Sequence, residues 1–235
     1  MLRVGLTGGL GSGKSTVGTM LARRGAYVLE ADEIGRELMQ PGQAVYRAIV
    51  ERFGAGVVKT DGTLDRAELA RLAFTEGRVE ELNAIVHPAV IARQAEIAGE
   101  IGARDGGAVV VVESALIFET KHREPEFGKM GREVGREWRE RFDRLVLVTA
   151  EEETKVRRFV ARGAGGGTLD AAAREELAAE ARRRLARQMP DAQKAAMCED
   201  VLRNDGDVDE LQMQVDALWG RLREIAGSAE EAVKP

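Results

Sequence analysis

Gly8-Gly9-Leu10-Gly11-Ser12-Gly13-Lys14-Ser15 fits the phosphate-binding pattern G-x-x-x-x-G-K-[ST] at every position. Each residue type in it has a task in anion binding. The glycines allow positive φ and close backbone approach, so the amides of Gly9, Gly11, Ser12, Gly13, Lys14, Ser15 and Thr16 can converge on phosphate oxygens. The first N–H groups of the helix that follows have no intrahelical partner and sit at its positive end. Lys14 then reaches the β- and γ-phosphates of a nucleotide, and the Ser15 hydroxyl suits Mg²⁺. The bland reading is a glycine-rich turn followed by a chance Lys-Ser. A dinucleotide fingerprint G-x-G-x-x-G fails, because from Gly9 its last glycine would fall on Lys14.

Further down the chain, Asp32 follows the second strand expected and Glu113 the third. A carboxylate at the carboxyl edge of a sheet can accept a proton from a hydroxyl or hold metal-bound water. The plain alternative for either is a helix cap or a surface charge. Arg158 and Arg162 lie four apart on one expected helix, and Arg184, Arg187 and Gln188 are spaced alike on the next. With the glycine-rich residues 163–167 between them, they read as a lid closing on phosphates, against the alternative of a solvated Arg/Glu surface. His87-Pro88 is a weaker feature. Proline biases the residue before it toward extended backbone, so the helical pattern is expected to break there.

The elements that must position these groups alternate. Strands are expected at residues 2–7, 26–29, 108–112, 144–148 and 200–203, with helical patterns between. The pattern argues for an α/β fold with a five-stranded parallel sheet covered on both faces. Helix 16–24 follows the loop, and Gly25 can end it. Between Asp32 and Ala108 lie about 75 residues, far more than one crossover helix needs. They carry helical stretches at 33–39, 45–53, 66–74, 79–85 and 89–101 and read as a helical lobe inserted at the ligand-binding edge. Residues 120–142 are charged, hold three glycines and show no core face. An amphipathic helix at 208–225 closes the chain, and 227–235 is expected to be a flexible tail.

Composition narrows the class. The chain of 235 residues suits one domain with lobes set into it. A formal net charge of −5 argues against nucleic acid as the main partner. Cys198 is the one cysteine, so no internal disulfide can form, and with only His87 and His122 a structural zinc site is not expected. Met1-Leu2-Arg3 runs straight into the first strand without an apolar leader, and the longest aliphatic run, 108–112, is too short to span a bilayer. The expectation is a soluble cytoplasmic protein.

Taken in order from residue 2 to residue 218, these features resemble the dephospho-CoA kinase family. The resemblance is carried by Gly5 to Thr16, Ala31-Asp32-Glu33-Ile34-Gly35-Arg36-Glu37-Leu38 and Phe53-Gly54. It continues through Asp61-Gly62, Leu64-Asp65-Arg66, Leu82 to Pro88, Leu116-Ile117-Phe118-Glu119, Arg158, Arg162, Arg184 to Gln188, Lys194 and Asn204-Asp205-Gly206. Beyond the loop no single motif is specific; their joint order is. Ala115 and Val86 depart from the family's usual Pro and Thr.

The resemblance implies transfer of the ATP γ-phosphoryl group to the ribose 3′-hydroxyl of dephospho-CoA, with Mg²⁺. It implies Asp32 as base, acceptor contacts at Asp32, Arg36, His87 and Glu119, and an adenine contact near Asn204. It also implies a single domain over 1–226, with a core of 1–32, 106–155 and 190–226, an acceptor lobe of 33–105 and a lid of 156–189. Partners are then ATP and dephospho-CoA, with neither nucleic acid nor membrane, in a monomer or weak homo-oligomer. Competing readings are a related kinase for another small acceptor, a catalytically silent ATP-binding module, and a GTP switch protein. Asp32-Glu33-Ile34-Gly35 matches D-x-x-G by letters, but follows the loop too soon and lacks an N-K-x-D partner.

Overall fold

The computed structural model describes residues 1–118 and 138–231. Strand β1 (Leu2–Thr7) leads into the glycine-rich loop and helix α1 (Lys14–Ala22). Strand β2 (Tyr27–Glu30) runs directly into α2 (Ala31–Leu38). Helices α3 (Ala44–Phe53), α4 (Arg66–Ala70) and α5 (Val79–Arg104) follow, with a 3₁₀ turn at Ala55–Val57 and a π-helical turn at Arg71–Thr75. Then come β3 (Val109–Glu113), α6 (Trp138–Arg141), β4 (Arg144–Thr149), α7 (Glu152–Gly163), α8 (Ala171–Ala186), α9 (Asp191–Ala195), β5 (Asp200–Arg203) and α10 (Val208–Glu231).

The strands form one parallel sheet in the order β2-β3-β1-β4-β5. The reversal of strand order lies at β1, whose two neighbours are β3 and β4. Ligand sites of open α/β sheets lie at such a reversal, beyond the carboxyl ends of the strands. The glycine-rich loop leaves β1 at that end. Strands β3 and β4 are buried over most of their length, as strands covered on both faces must be. On one face Val17 and Leu21 of α1 and Val215, Leu218 and Leu222 of α10 pack on Val4, Leu6 and Val146. Each fully buried leucine here contributes about 1.5–3 kcal/mol.

Two compact units divide the chain: one of Met1–Leu29 with the described residues from 101 onward, and one centred on Glu30–Glu100. The second has its own core, in which Val45, Ile49, Val57, Leu64, Leu69 and Leu72 gather with Leu82, Ile85 and Val86.

Four expectations are corrected. Pro88 does not divide the helix, which runs unbroken through it from Val79 to Arg104, so His87 is helical rather than extended. Proline removes the donor for the carbonyl four residues back. That residue, Ala84, is exposed, so water can serve its carbonyl. The helix expected over 66–74 is α-helical only to Ala70 and then widens to a π turn. Glu113 is the last residue of β3 rather than the one after it. Residues 227–231, expected in a flexible tail, continue α10. Glu119 and most of the charged segment 120–142 lie outside the described residues. Among the described residues no helix is long and apolar enough to cross a membrane.

Candidate active site

The loop is shaped by glycines in places where no other residue fits. Gly11 and Gly13 have φ of 73° and 97°, in the left-handed region. A Cβ on Gly11 would lie 2.4 Å from the Lys155 carbonyl oxygen, and one on Gly13 2.1 Å from Asn204 Nδ2. Helix α1 starts at Gly13 without any side-chain cap, so its first amides stay available to an anion. Gly13→Ala is therefore expected to weaken nucleoside triphosphate binding by about tenfold or more, equivalent to about 1.4 kcal/mol, measured by titration calorimetry.

Lys14 curls over the loop. Its Nζ donates to the Gly8 carbonyl at 2.8 Å and to that of Gly9 at 3.3 Å. Ser15 Oγ donates to Glu113 Oε1 at 2.7 Å, joining the start of α1 to the end of β3. A hydroxyl beside a carboxylate is a hard-oxygen donor set, and magnesium typically takes one or two such protein groups and completes its shell with water and phosphate. The residues present fit that ion. Among the described residues no group of three or more His, Cys, Asp or Glu side chains is gathered for a metal. Thr16, one residue on, is exposed. Thr7 Oγ1, at the end of β1, and Ser12 Oγ, in the loop, are buried without hydrogen-bond partners among the described residues.

Around the loop stand α7, α8, α9 and the end of β5. Gln188 Oε1 accepts from the Leu10 amide at 3.1 Å. A Cβ on Gly9 would lie 3.4 Å from that oxygen and 3.5 Å from Asp191 Oδ1. Asp191 accepts from Thr149 Oγ1 and forms an ion pair with Lys155. That pair neutralises a carboxylate which would otherwise repel phosphate at close range. Asn204 donates from Nδ2 to the Ser12 carbonyl at 2.8 Å and accepts from Arg158 Nη2 at 3.2 Å.

The three arginines expected in a lid part company. Arg158 is half-buried and tied to the loop through Asn204. Arg162 is exposed in the last turn of α7. Arg184 pairs with Glu180 at 2.6 Å and lies over the Phe159 ring, 5.5 Å from its centre. Helices α7 and α8 pack together at Gly163, where an added Cβ would meet Leu177 at 2.8 Å. The connection between them contains Gly165 and Gly166 at positive φ.

In the other unit, Asp32 stands exposed in the first turn of α2, with Arg36 one turn on and paired to Glu33. Helix α2 meets α5 where Gly35 faces Val90, with an added Cβ 3.6 Å from Val90 Cγ2. Asp32 precedes Gly35 by three residues, and His87 precedes Val90 by three. On each helix the polar residue therefore lies one turn from the contact. His87 is half-buried. Burial pushes its imidazole below the ordinary value, and the charge of Glu80 partly opposes this.

The sign of the His87 effect follows. With the folded pKa depressed, neutral His87 adds stability that is present above the ordinary imidazole range near pH 6.5 and is lost as pH falls through the folded value. His87→Asn is expected to flatten the loss of stability between about pH 7 and pH 5, read from urea denaturation of both proteins across that range.

Sequence reasoning weighed Glu113 as an edge carboxylate but did not couple it to Ser15. It missed Lys155 and Asp191 altogether. Nothing local marks that pair: they are 36 positions apart and meet only because α9 returns beside α7. Cys198, half-buried near Glu199, has its thiol pushed up to about 12, mainly by burial.

A protein-family model described as dephospho-CoA kinase matches residues 2–126. A protein named dephospho-CoA kinase from Corynebacterium jeikeium (strain K411) is 38% identical over 94% of this chain and 100% of its own. A second of that name, from Leifsonia xyli subsp. xyli (strain CTCB07), is 36% identical over 95% of this chain and 100% of its own. Among solved structures, a Thermus thermophilus protein is similar with a TM-score of 0.67 and 30% identity, covering 94% of this chain and 97% of that one.

Proposed function

The chain belongs to the dephospho-CoA kinase family, and from that premise we infer that it moves the γ-phosphoryl group of ATP to the ribose 3′-hydroxyl of dephospho-CoA. The product is coenzyme A, and the reaction is the last step of its synthesis. The observation that carries this is the 38% identity over 94% of the chain, together with the intact Lys14, Ser15 and Asp32.

The amides of Gly9, Gly11, Ser12, Gly13, Lys14, Ser15 and Thr16 and the Lys14 ammonium hold the β- and γ-phosphates. Mg²⁺ would be held by Ser15 and phosphate oxygens with Glu113 alongside, and when bound it supplies charge neutralisation on the phosphates. Asp32 orients the 3′-hydroxyl and takes its proton as the new O–P bond forms. The bond from the γ-phosphorus to its bridging oxygen breaks in line, and ADP leaves. Arg158 neutralises charge on the transferring group, with Arg162 and Arg184 assigned to the same work when the α7–α8 pair closes. Arg36, His87 and Glu119 are assigned to the acceptor, and Asn204 to the ATP side. This assigns residues 33–105 to the acceptor and 156–189 to the lid, with 1–32, 106–155 and 190–226 as core. We place the enzyme in the cytoplasm, as a monomer or weak homo-oligomer without nucleic-acid or membrane partners.

The test is direct. Purified protein with Mg²⁺–ATP and dephospho-CoA is expected to yield coenzyme A and ADP in equal amounts, resolved by chromatography and mass. Absence of product at high enzyme concentration, with phosphorylation of a different hydroxyl acceptor, would overturn the assignment.

A further inference from the structure

Asn204 lies one residue beyond β5, and its amide N–H bonds the Thr149 carbonyl at the end of β4 at 2.8 Å. Its side chain is buried, 7% exposed, with both ends engaged. Nδ2 donates to the Ser12 carbonyl at 2.8 Å, and Oδ1 accepts from Arg158 Nη2 at 3.2 Å. The loop is seated directly on this amide, since a Cβ on Gly13 would fall 2.1 Å from Nδ2. The other guanidinium nitrogen, Arg158 Nη1, is buried and has no hydrogen-bond partner among the described residues.

We propose that Asn204 is a positioning residue that sets Arg158 against the phosphate loop and takes no part in reading the base. This rests on the nucleotide site described under Proposed function. One amide joins a loop carbonyl to a guanidinium, so the two move as one body. It holds Arg158 by one nitrogen and leaves Nη1 for an anion. A buried guanidinium nitrogen without a partner is costly, and a phosphate oxygen would relieve that cost. The side chain has to be an amide. Aspartate would lose the donor to Ser12, turn a carboxylate toward that carbonyl, and bind Arg158 strongly enough to remove its charge from the phosphates. Alanine would leave both the loop and the arginine unheld.

The test combines base selectivity with a double-mutant cycle. Binding of Mg²⁺–ATP and Mg²⁺–GTP is titrated by calorimetry for the wild type, Asn204→Ala, Asn204→Asp, Arg158→Ala and the Asn204→Ala/Arg158→Ala pair. CoA formation is assayed in parallel. Asn204→Ala is expected to weaken both nucleotides by about tenfold, as for loss of a hydrogen bond to a charged group, and to leave their ratio within about twofold. On the Arg158→Ala background the same change should weaken binding clearly less, by about threefold, the remainder being the lost contact to the Ser12 carbonyl. Asn204→Asp should lose at least as much as Asn204→Ala, and it carries the comparison if the alanine variant does not fold.

A tenfold change in ATP:GTP preference would overturn the proposal. So would an undiminished effect of Asn204→Ala in the absence of Arg158. The two claims fail separately. Coupled binding without CoA formation by the wild type would sink the assigned substrate and leave Asn204 standing. CoA formation with additive effects would do the reverse.

Discussion

Lys14→Ala is expected to lower kcat for CoA formation by about 10²–10³-fold, the usual loss when one preorganised charge on a transferring group is removed, and to weaken ATP binding as well. The resting geometry explains why the lysine is effective. Its ammonium already hovers over the loop, 2.8 Å from the Gly8 carbonyl and 3.3 Å from that of Gly9. An arriving triphosphate offers charged oxygens in place of these neutral carbonyls, with little reorganisation of the side chain. Lys14→Arg should not restore activity, because the planar guanidinium is larger than the point charge the loop is built around. Steady-state kinetics with calorimetric ATP affinities check both variants. Unchanged values for Lys14→Ala would remove the loop from the mechanism.

Asp32→Ala should separate binding from turnover. ATP affinity is expected to stay within about twofold of wild type while kcat falls by about 10²-fold or more, the contribution of a positioned general base. Asp32→Asn keeps the shape and a hydrogen-bond acceptor but cannot take the proton. It should be nearly as slow as alanine if proton removal dominates, and close to wild type if orientation alone matters. Single-turnover rates for the three proteins distinguish these cases, and near-normal kcat in both variants would refute the assignment of Asp32.

The sheet was legible because its strands are short apolar runs without helical periodicity: β1 and β5 have the bounds expected, and the other three begin or end one residue away. The loop was legible because backbone geometry demands glycine there. Pro88 misled for a physical reason. A local rule about the residue before proline was set against an apolar stripe of Leu82, Ile85, Val86 and Ala89 packed on the second unit's core, and burial outweighs one missing hydrogen bond. Arginine was the harder problem. Spacing put Arg158 and Arg162 together on one helix, ahead of Arg184 on the next, whereas the fold ties the first to the phosphate loop, leaves the second exposed and pairs the third with Glu180. Which of many arginines faces a ligand depends on helix rotation and on competing carboxylates, and neither is written in the spacing.

The raised thiol pKa of Cys198 has a chemical consequence for an enzyme of this kind. Its acceptor and its product both end in a thiol, so the disulfide forms of these small molecules can exchange with any reactive cysteine. Exchange proceeds through the thiolate. With the thiol pushed up to about 12, mainly by burial, Cys198 is held as the neutral thiol near pH 7. Cys198 is therefore a poor nucleophile toward the disulfide of the coenzyme that the enzyme handles.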